Sequence, residues 1–326
     1  MSNIYKFILG LFLVFSMFGC NGVKETPKVE VKPKIQDVQV FRSKNDDGKI
    51  TPRSIEREFD KIGLSVPGNN DMNKPFKTRF GSVHYKTYNL AMFINNELTY
   101  KLLKKSPKFG ALTPLTMSIW QDKDGYINVS TLSINGLSRA SGIPVDDVDL
   151  VAYSVLVKKG LHMAMPNGEF KVLNYDTPDR NKTFGMSFVA EIDIADDENM
   201  EDFIDDFEAE FEGELEPLGF LLPNYTNVQE EIFDDYGYKD KYDFYHTYSI
   251  CKFDVIYPVS KLHPEAGAWA PCSFYLYKNK GESKIHMGFL GVDNWIKSLE
   301  IKDKESMIPL KEAQGMIVDA IKDIAD

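Results

Sequence analysis

The sequence predicts an α+β protein made of two tandem copies of a small domain, each a mostly antiparallel sheet with helices packed on one face. Three observations lead there. The pattern P-x-x-G-A-x-x-P occurs twice, from Pro107 to Pro114 and from Pro264 to Pro271. Each occurrence runs into an alternating apolar and polar stretch, a turn and a second such stretch. Both are flanked by apolar residues at helical spacing.

Taken in chain order, Lys6 precedes an apolar run from Phe7 to Phe15, too short to cross a bilayer and suited to the core of a secretory leader. Gly19 directly before Cys20 resembles the bacterial lipobox, with Met17 and Phe18 departing from its usual residues. That resemblance implies a signal peptide over 1–19 and acyl chains, palmitate among them, on Cys20. Two or three chains anchor stably where one does not. The implied place is the bacterial cell envelope, facing the periplasm or the exterior, with the membrane as a partner through the lipid. Residues 20–36, rich in Lys, Pro, Glu and Val, read as an extended tether.

The first copy is expected over 37–165 and the second over 183–326. Leading strands are expected at Val38–Phe41 and at Phe184–Ile194. Pro52–Ile62 reads as a helix with proline at its start. Its counterpart is the stripe Met200, Phe203, Ile204, Phe207, Phe211 and Leu215. Tyr85-Lys86-Thr87-Tyr88 recurs as Tyr245-His246-Thr247-Tyr248, each opening a strand. Short helices follow at Asn95–Lys104 and Asp254–Leu262. Next come half-buried hairpins, turning at Asp124-Gly125 and at Asn279-Lys280-Gly281. Final helices are expected at Val145–Lys159 and Pro309–Ile324. Two like domains in one chain suggest that the copies pack on each other as an intramolecular pseudo-dimer.

Composition bounds the function. An apolar fraction of 43% over 326 residues can bury real cores. The formal charge is −11, and loss of Lys6 with the leader leaves it more negative still. Such a surface repels phosphate backbones and anionic lipid, so no nucleic-acid partner is expected and the anchor must be covalent.

Tyr88–Ser130 and, more closely, Tyr248–Met287 resemble the domain-of-unknown-function 302 family. That family runs strand, cysteine, helix, then a glycine-containing approach to a Pro-Cys pair that opens an alternating strand. Cys251 stands at the first cysteine and Pro271-Cys272 at the second, while the first copy has Ala91 and Leu115 there. The resemblance implies a small α+β domain that often self-associates and has no established activity.

Coordinating chemistry is concentrated in the second copy. His246, Cys251, His263, Cys272 and His286 are candidate metal ligands, and sulfur and imidazole donors suit zinc, copper or haem iron. Their first-copy equivalents by this alignment are Lys86, Ala91, Ser106, Leu115 and Asn128. The spacing fits no compact metal motif, and His246 and Cys251 should face opposite sides of one strand. Cys251 and Cys272 are also a candidate disulfide or redox pair, although neither lies in a C-x-x-C helix start. Inert buried residues are the third reading. Neither G-x-S-x-G, a glycine-rich phosphate loop nor H-E-x-x-H occurs. The expectation is therefore a non-enzymatic binding or accessory protein without a required cofactor, its site in the second copy. The alternative is a thiol- or metal-dependent redox protein using Cys251 and Cys272.

Overall fold

The computed structural model describes residues 35–175, 185–191 and 199–325. The leader, Cys20 and nearly all of the tether lie outside the described residues. The first half contains β1 (Val38–Lys44), α1 (Pro52–Asp60), β2 (Ser65–Asp71), α2 (Asn73–Phe80), β3 (Tyr88–Ile94) and α3 (Asn96–Lys105). It continues with β4 (Leu115–Gln121), β5 (Tyr126–Leu132), α4 (Ile134–Ser141), α5 (Val148–Ala164) and β6 (Glu169–Phe170). The second half contains β7 (Gly185–Glu191), α6 (Met200–Leu215), β8 (Leu221–Asn227), β9 (Tyr242–Cys251) and α7 (Phe253–Leu262). It ends with β10 (Cys272–Asn279), β11 (Lys284–Leu290), α8 (Asp293–Ser298) and α9 (Lys304–Ala325). Among the described residues the strands form two antiparallel sheets, ordered β2-β3-β4-β5-β1-β6 and β7-β11-β10-β9-β8. Without β6 the two orders correspond strand for strand. The fold class is the α+β arrangement that the sequence predicts.

Local chemistry explains most boundaries. Thr51 caps α1 by accepting from the Ser54 N–H at 3.1 Å, the Ser54 hydroxyl accepts from the Thr51 N–H, and Pro52 occupies the first turn. Asn199 caps α6, whose Ile204, Phe207, Phe211 and Leu215 stripe is buried as its spacing requires. The helix expected at Val145–Lys159 is α5, and a further helix that was not expected, α4, precedes it. Gly142, at φ 73°, closes α4, and Asp147 caps α5 by accepting from the Asp149 and Leu150 N–H groups. The final helix starts earlier than expected, at Lys304, and Pro309 lies inside it.

One face of each sheet carries helices. Phe93 meets Phe59 of α1 at 5.4 Å between ring centroids, and Phe274 stacks on Phe211 of α6 at 4.5 Å. The expectation of half-buried strands is corrected here. All seven residues of β3 are buried, and so are most of β4 and β9. The second face of each sheet is covered by the other half. The 3₁₀ segment Pro107–Leu112 lies on the second sheet and Pro264–Ala268 lies on the first. Alternation with small polar residues resembles a solvated face, but here three of the hydroxyls bond to backbone carbonyls across the seam. Thr116 donates to the Ala268 carbonyl at 2.9 Å, Ser118 to the Pro264 carbonyl at 2.6 Å and Ser273 to the Pro114 carbonyl at 3.4 Å.

Register corrects a second expectation. Phe93 pairs with Leu115 and Ile250 with Cys272. Leu115 and Cys272 follow the same motif, so Phe93 corresponds to Ile250 and Tyr88 to Tyr245. The tyrosine tetrapeptides are thus three residues out of structural register. The counterpart of Cys251 is Ile94 rather than Ala91, and that of His246 is Asn89 rather than Lys86. The contacts obey the corrected alignment. Tyr88 donates to the Pro264 carbonyl and Tyr245 to the Pro107 carbonyl, while Ser249 meets its own counterpart Met92 at 3.2 Å.

The motif glycines permit this approach. A methyl group on Gly110 would overlap Tyr245 and Tyr275, and one on Gly267 would overlap Ser118 and Leu90. Gly110→Val and Gly267→Val are each expected to destabilise the protein by about 1–3 kcal/mol or more, read as a lower urea midpoint. Gly213→Ala, in α6 with nothing near its Cβ position, should instead stabilise by about 0.5–1 kcal/mol. Equal effects at the three positions would contradict this account of the seam.

Candidate functional site

Cys251 ends β9 and Cys272 opens β10, directly across from Ile250. The two cysteines are therefore diagonal neighbours on adjacent strand ends, and both are free thiols, Cys251 buried and Cys272 partly so. Both line one small apolar cavity of about 40 Å³ beneath α7 and α9, with Phe220, Ile256 and Trp295. Burial pushes the Cys251 thiol up to about 12, with neighbouring Cys272 adding to the shift. Burial alone pushes Cys272 up to about 12.

The three histidines do not join them. His246 faces α6, away from the seam, its Nδ1 2.5 Å from Glu208 Oε1 and 3.4 Å from the Tyr225 hydroxyl. His263, at the end of α7, bonds Asp303 at 2.9 Å. Burial works to raise that carboxyl, but hydrogen bonds from His263 and Ser306 outweigh it and hold Asp303 down at about 2. His286 bonds Glu282 at 2.8 Å and stacks on Tyr277 at 4.9 Å. Each imidazole thus has its own carboxylate, and they stand on different faces and elements. Among the described residues no group of three His, Cys, Asp or Glu side chains is placed to share a metal ion.

The seam holds two further cavities, and sequence reasoning missed their walls. One, of about 280 Å³, lies among β2, the start of α2, β8 and the Cys251 end of β9. Leu90, Met72, Cys251 and Pro271 form its buried floor, and Asn70, Asp71, Leu221 and Pro223 its exposed rim. The other, of about 160 Å³, is lined by Ser65, Pro67, Ile94, Asn96, Thr226 and Glu231, among others. Ser65 pairs with Ile94 as Leu221 pairs with Cys251, so the two cavities occupy corresponding places. A second repeat in the sequence marks them. Ile62-Gly63-Leu64-Ser65-Val66-Pro67 recurs as Leu218-Gly219-Phe220-Leu221-Leu222-Pro223, with both glycines at positive φ.

An α+β protein of paired antiparallel sheets, with thiols at the strand ends and cavities at the seam, is the class that this geometry defines. Residues 42–152 match the family model described as domain of unknown function DUF302. The match falls on the first half, whereas the residue patterns pointed more strongly to the second. A solved structure, an uncharacterized conserved DUF302 protein from Bacillus stearothermophilus, is similar over 44% of this chain and 100% of its own. The identity is 12% and the TM-score 0.35. No curated protein matches the chain.

The raised thiols give a measurable consequence. In the folded protein at pH 8 both cysteines should alkylate about 1,000-fold more slowly than in denaturant, following their thiolate fractions. The linked effect on stability has a definite sign. Unfolded thiols ionise from about pH 8.5 while the folded ones keep their protons, so stability falls as pH rises from there toward 12. Labelling of native protein at the denatured rate would show that the thiols are not held as described.

Proposed function

We propose that the protein is a lipid-anchored envelope protein with a binding or accessory role and no catalytic one. In this reading its two halves are tandem DUF302-type domains fused as an intramolecular pseudo-dimer, and the site lies where the second half carries Cys251. The observation that carries it is the seam. Corresponding residues of the two halves make reciprocal contacts, as in an isologous dimer, and leave an apolar cavity opening to solvent between them.

The thiol-dependent redox reading is less well supported. A thiol pushed up to about 12 is thiolate in only about one part in 10⁵ at pH 7, and the thiolate is the reacting form. Metal chemistry through the histidines would require His246 and His286 to leave Glu208 and Glu282 and cross to one side of their sheet.

Two variants test the proposal. Cys20→Ala should move the protein from the membrane to the soluble fraction, or stop its maturation, and abolish incorporation of labelled palmitate. Unchanged membrane association would overturn the anchor. The variant Cys272→Ala, which leaves Cys251 at the cavity floor in place, should complement a deletion strain as well as the parent chain does. Lost complementation by the folded variant would favour the redox reading instead.

A further inference from the structure

We infer that the cavity beside Cys251 binds a small apolar molecule bearing hydrogen-bond donors at one end, and discriminates against carboxylates. This rests on the binding role proposed above and adds the ligand's chemistry. Size sets the first limit. A dry apolar cavity of about 150 Å³ accommodates benzene, so the 280 Å³ here suits one or two fused rings, or a branched chain of similar bulk. The floor offers Leu90, Met72, Pro271 and a thiol kept neutral by burial, which together provide apolar contact without charge.

The polar groups are confined to the rim. Asn70 and Asp71 close β2 at the exposed end of the cavity. The Asp71 carboxylate accepts hydrogen bonds, and one of its oxygens already takes the Asn73 N–H at 3.0 Å. A ligand amine or hydroxyl at the rim meets the Asp71 acceptor, whereas a ligand carboxylate meets like charge there, on a chain already at −11, with the Asn70 amide as the one side-chain N–H donor among the described lining residues.

The corresponding cavity in the other half shows what makes the difference. Where the Cys251 cavity has Leu221, Phe253 and Pro75, its counterpart has Ser65, Asn96 and Glu231. The counterpart is both smaller and more polar, with the Glu231 carboxylate where the Cys251 cavity has the Pro75 ring. One position has therefore become an apolar site and the other has not.

Naphthylamine and naphthoate, which share a ring system and differ at the polar end, are the probes. With the purified full chain, fluorescence titration should show saturable naphthylamine binding and naphthoate weaker by about tenfold or more. Leu221→Trp fills the cavity from an exposed rim position and should weaken naphthylamine by about tenfold, with an unchanged thermal midpoint. Ser65→Trp at the corresponding position should leave it within about twofold. Absence of saturable binding, or equal loss in the two variants, would overturn the site. Naphthoate binding as tightly as naphthylamine would overturn the donor preference. If Cys20→Ala leaves the membrane while naphthylamine fails to bind, the ligand assignment falls and the envelope role stands.

Discussion

Packing of Gly110 onto Tyr275 and of Gly267 onto Ser118 sets the distance between the two sheets. Each glycine sits in a 3₁₀ segment of one half and each partner in a central strand of the other. A side chain at either glycine would push the sheets apart and open the strands' second face to water. With the glycines in place, each sheet is roofed by helices on one side and by the opposite half on the other. Contact across the seam makes the described residues a single compact unit. A half by itself would expose a face bearing Tyr88, Leu90 and Met92, or Tyr245 and Tyr275, all of them buried here.

Burying a face that carries hydroxyls beside apolar groups is costly unless the hydroxyls find partners, and here most do, the buried Thr247 hydroxyl being an exception. Ser118 and Ser130 approach to 2.6 Å, and Ser118, Thr116 and Ser273 reach backbone carbonyls of the opposite half. A buried hydroxyl left without a partner costs about 1–3 kcal/mol, so these bonds penalise any sliding of one sheet over the other. At the edge of the seam, Asp37 pairs with Arg139, and Ser298 of α8 bonds both. Breaking such a buried pair costs about 3–5 kcal/mol, which adds to the same constraint on register. The polar groups thus specify one arrangement of the halves, while the apolar area supplies the stabilisation.

Much of this was legible in the sequence, and the misses have physical causes. The proline-glycine motif, both hairpins, the Pro52 helix start and the phenylalanine stripe of α6 could be read because each depends on local spacing. Strands β2 and β8 could not. Ser65-Val-Pro-Gly-Asn-Asn-Asp is turn chemistry by composition, and it forms an edge strand only because a register shift lets Pro67 sit without a ladder bond. The exposed rim of the larger cavity is built from those two strands, so the site was missed with them. The tyrosine tetrapeptides misled for the opposite reason. Identical letters suggested one register, whereas pairing with β4 and β10 enforces another. Burial of both sheet faces has no local signature, since a serine facing a neighbouring sheet and a serine facing water look alike in sequence.

The concentration of cysteine and histidine in the second half invited a chemical reading of the asymmetry. Pairing explains the histidines otherwise, because Glu208, Asp303 and Glu282 each receive one, and the second half supplies both members of each pair. What distinguishes the halves around the seam is volume and polarity. Cys251 stands where the first half has Ile94, and a thiol is smaller than a branched four-carbon side chain. Phe253 and Leu221 replace Asn96 and Ser65, removing polar groups while the floor widens. The result is one cavity of about 280 Å³ with an apolar floor and another of about 160 Å³ with an acidic wall. Cys251 then matters for the room it leaves and the charge it does not carry. Its burial and its position at the cavity floor are two aspects of a single steric role.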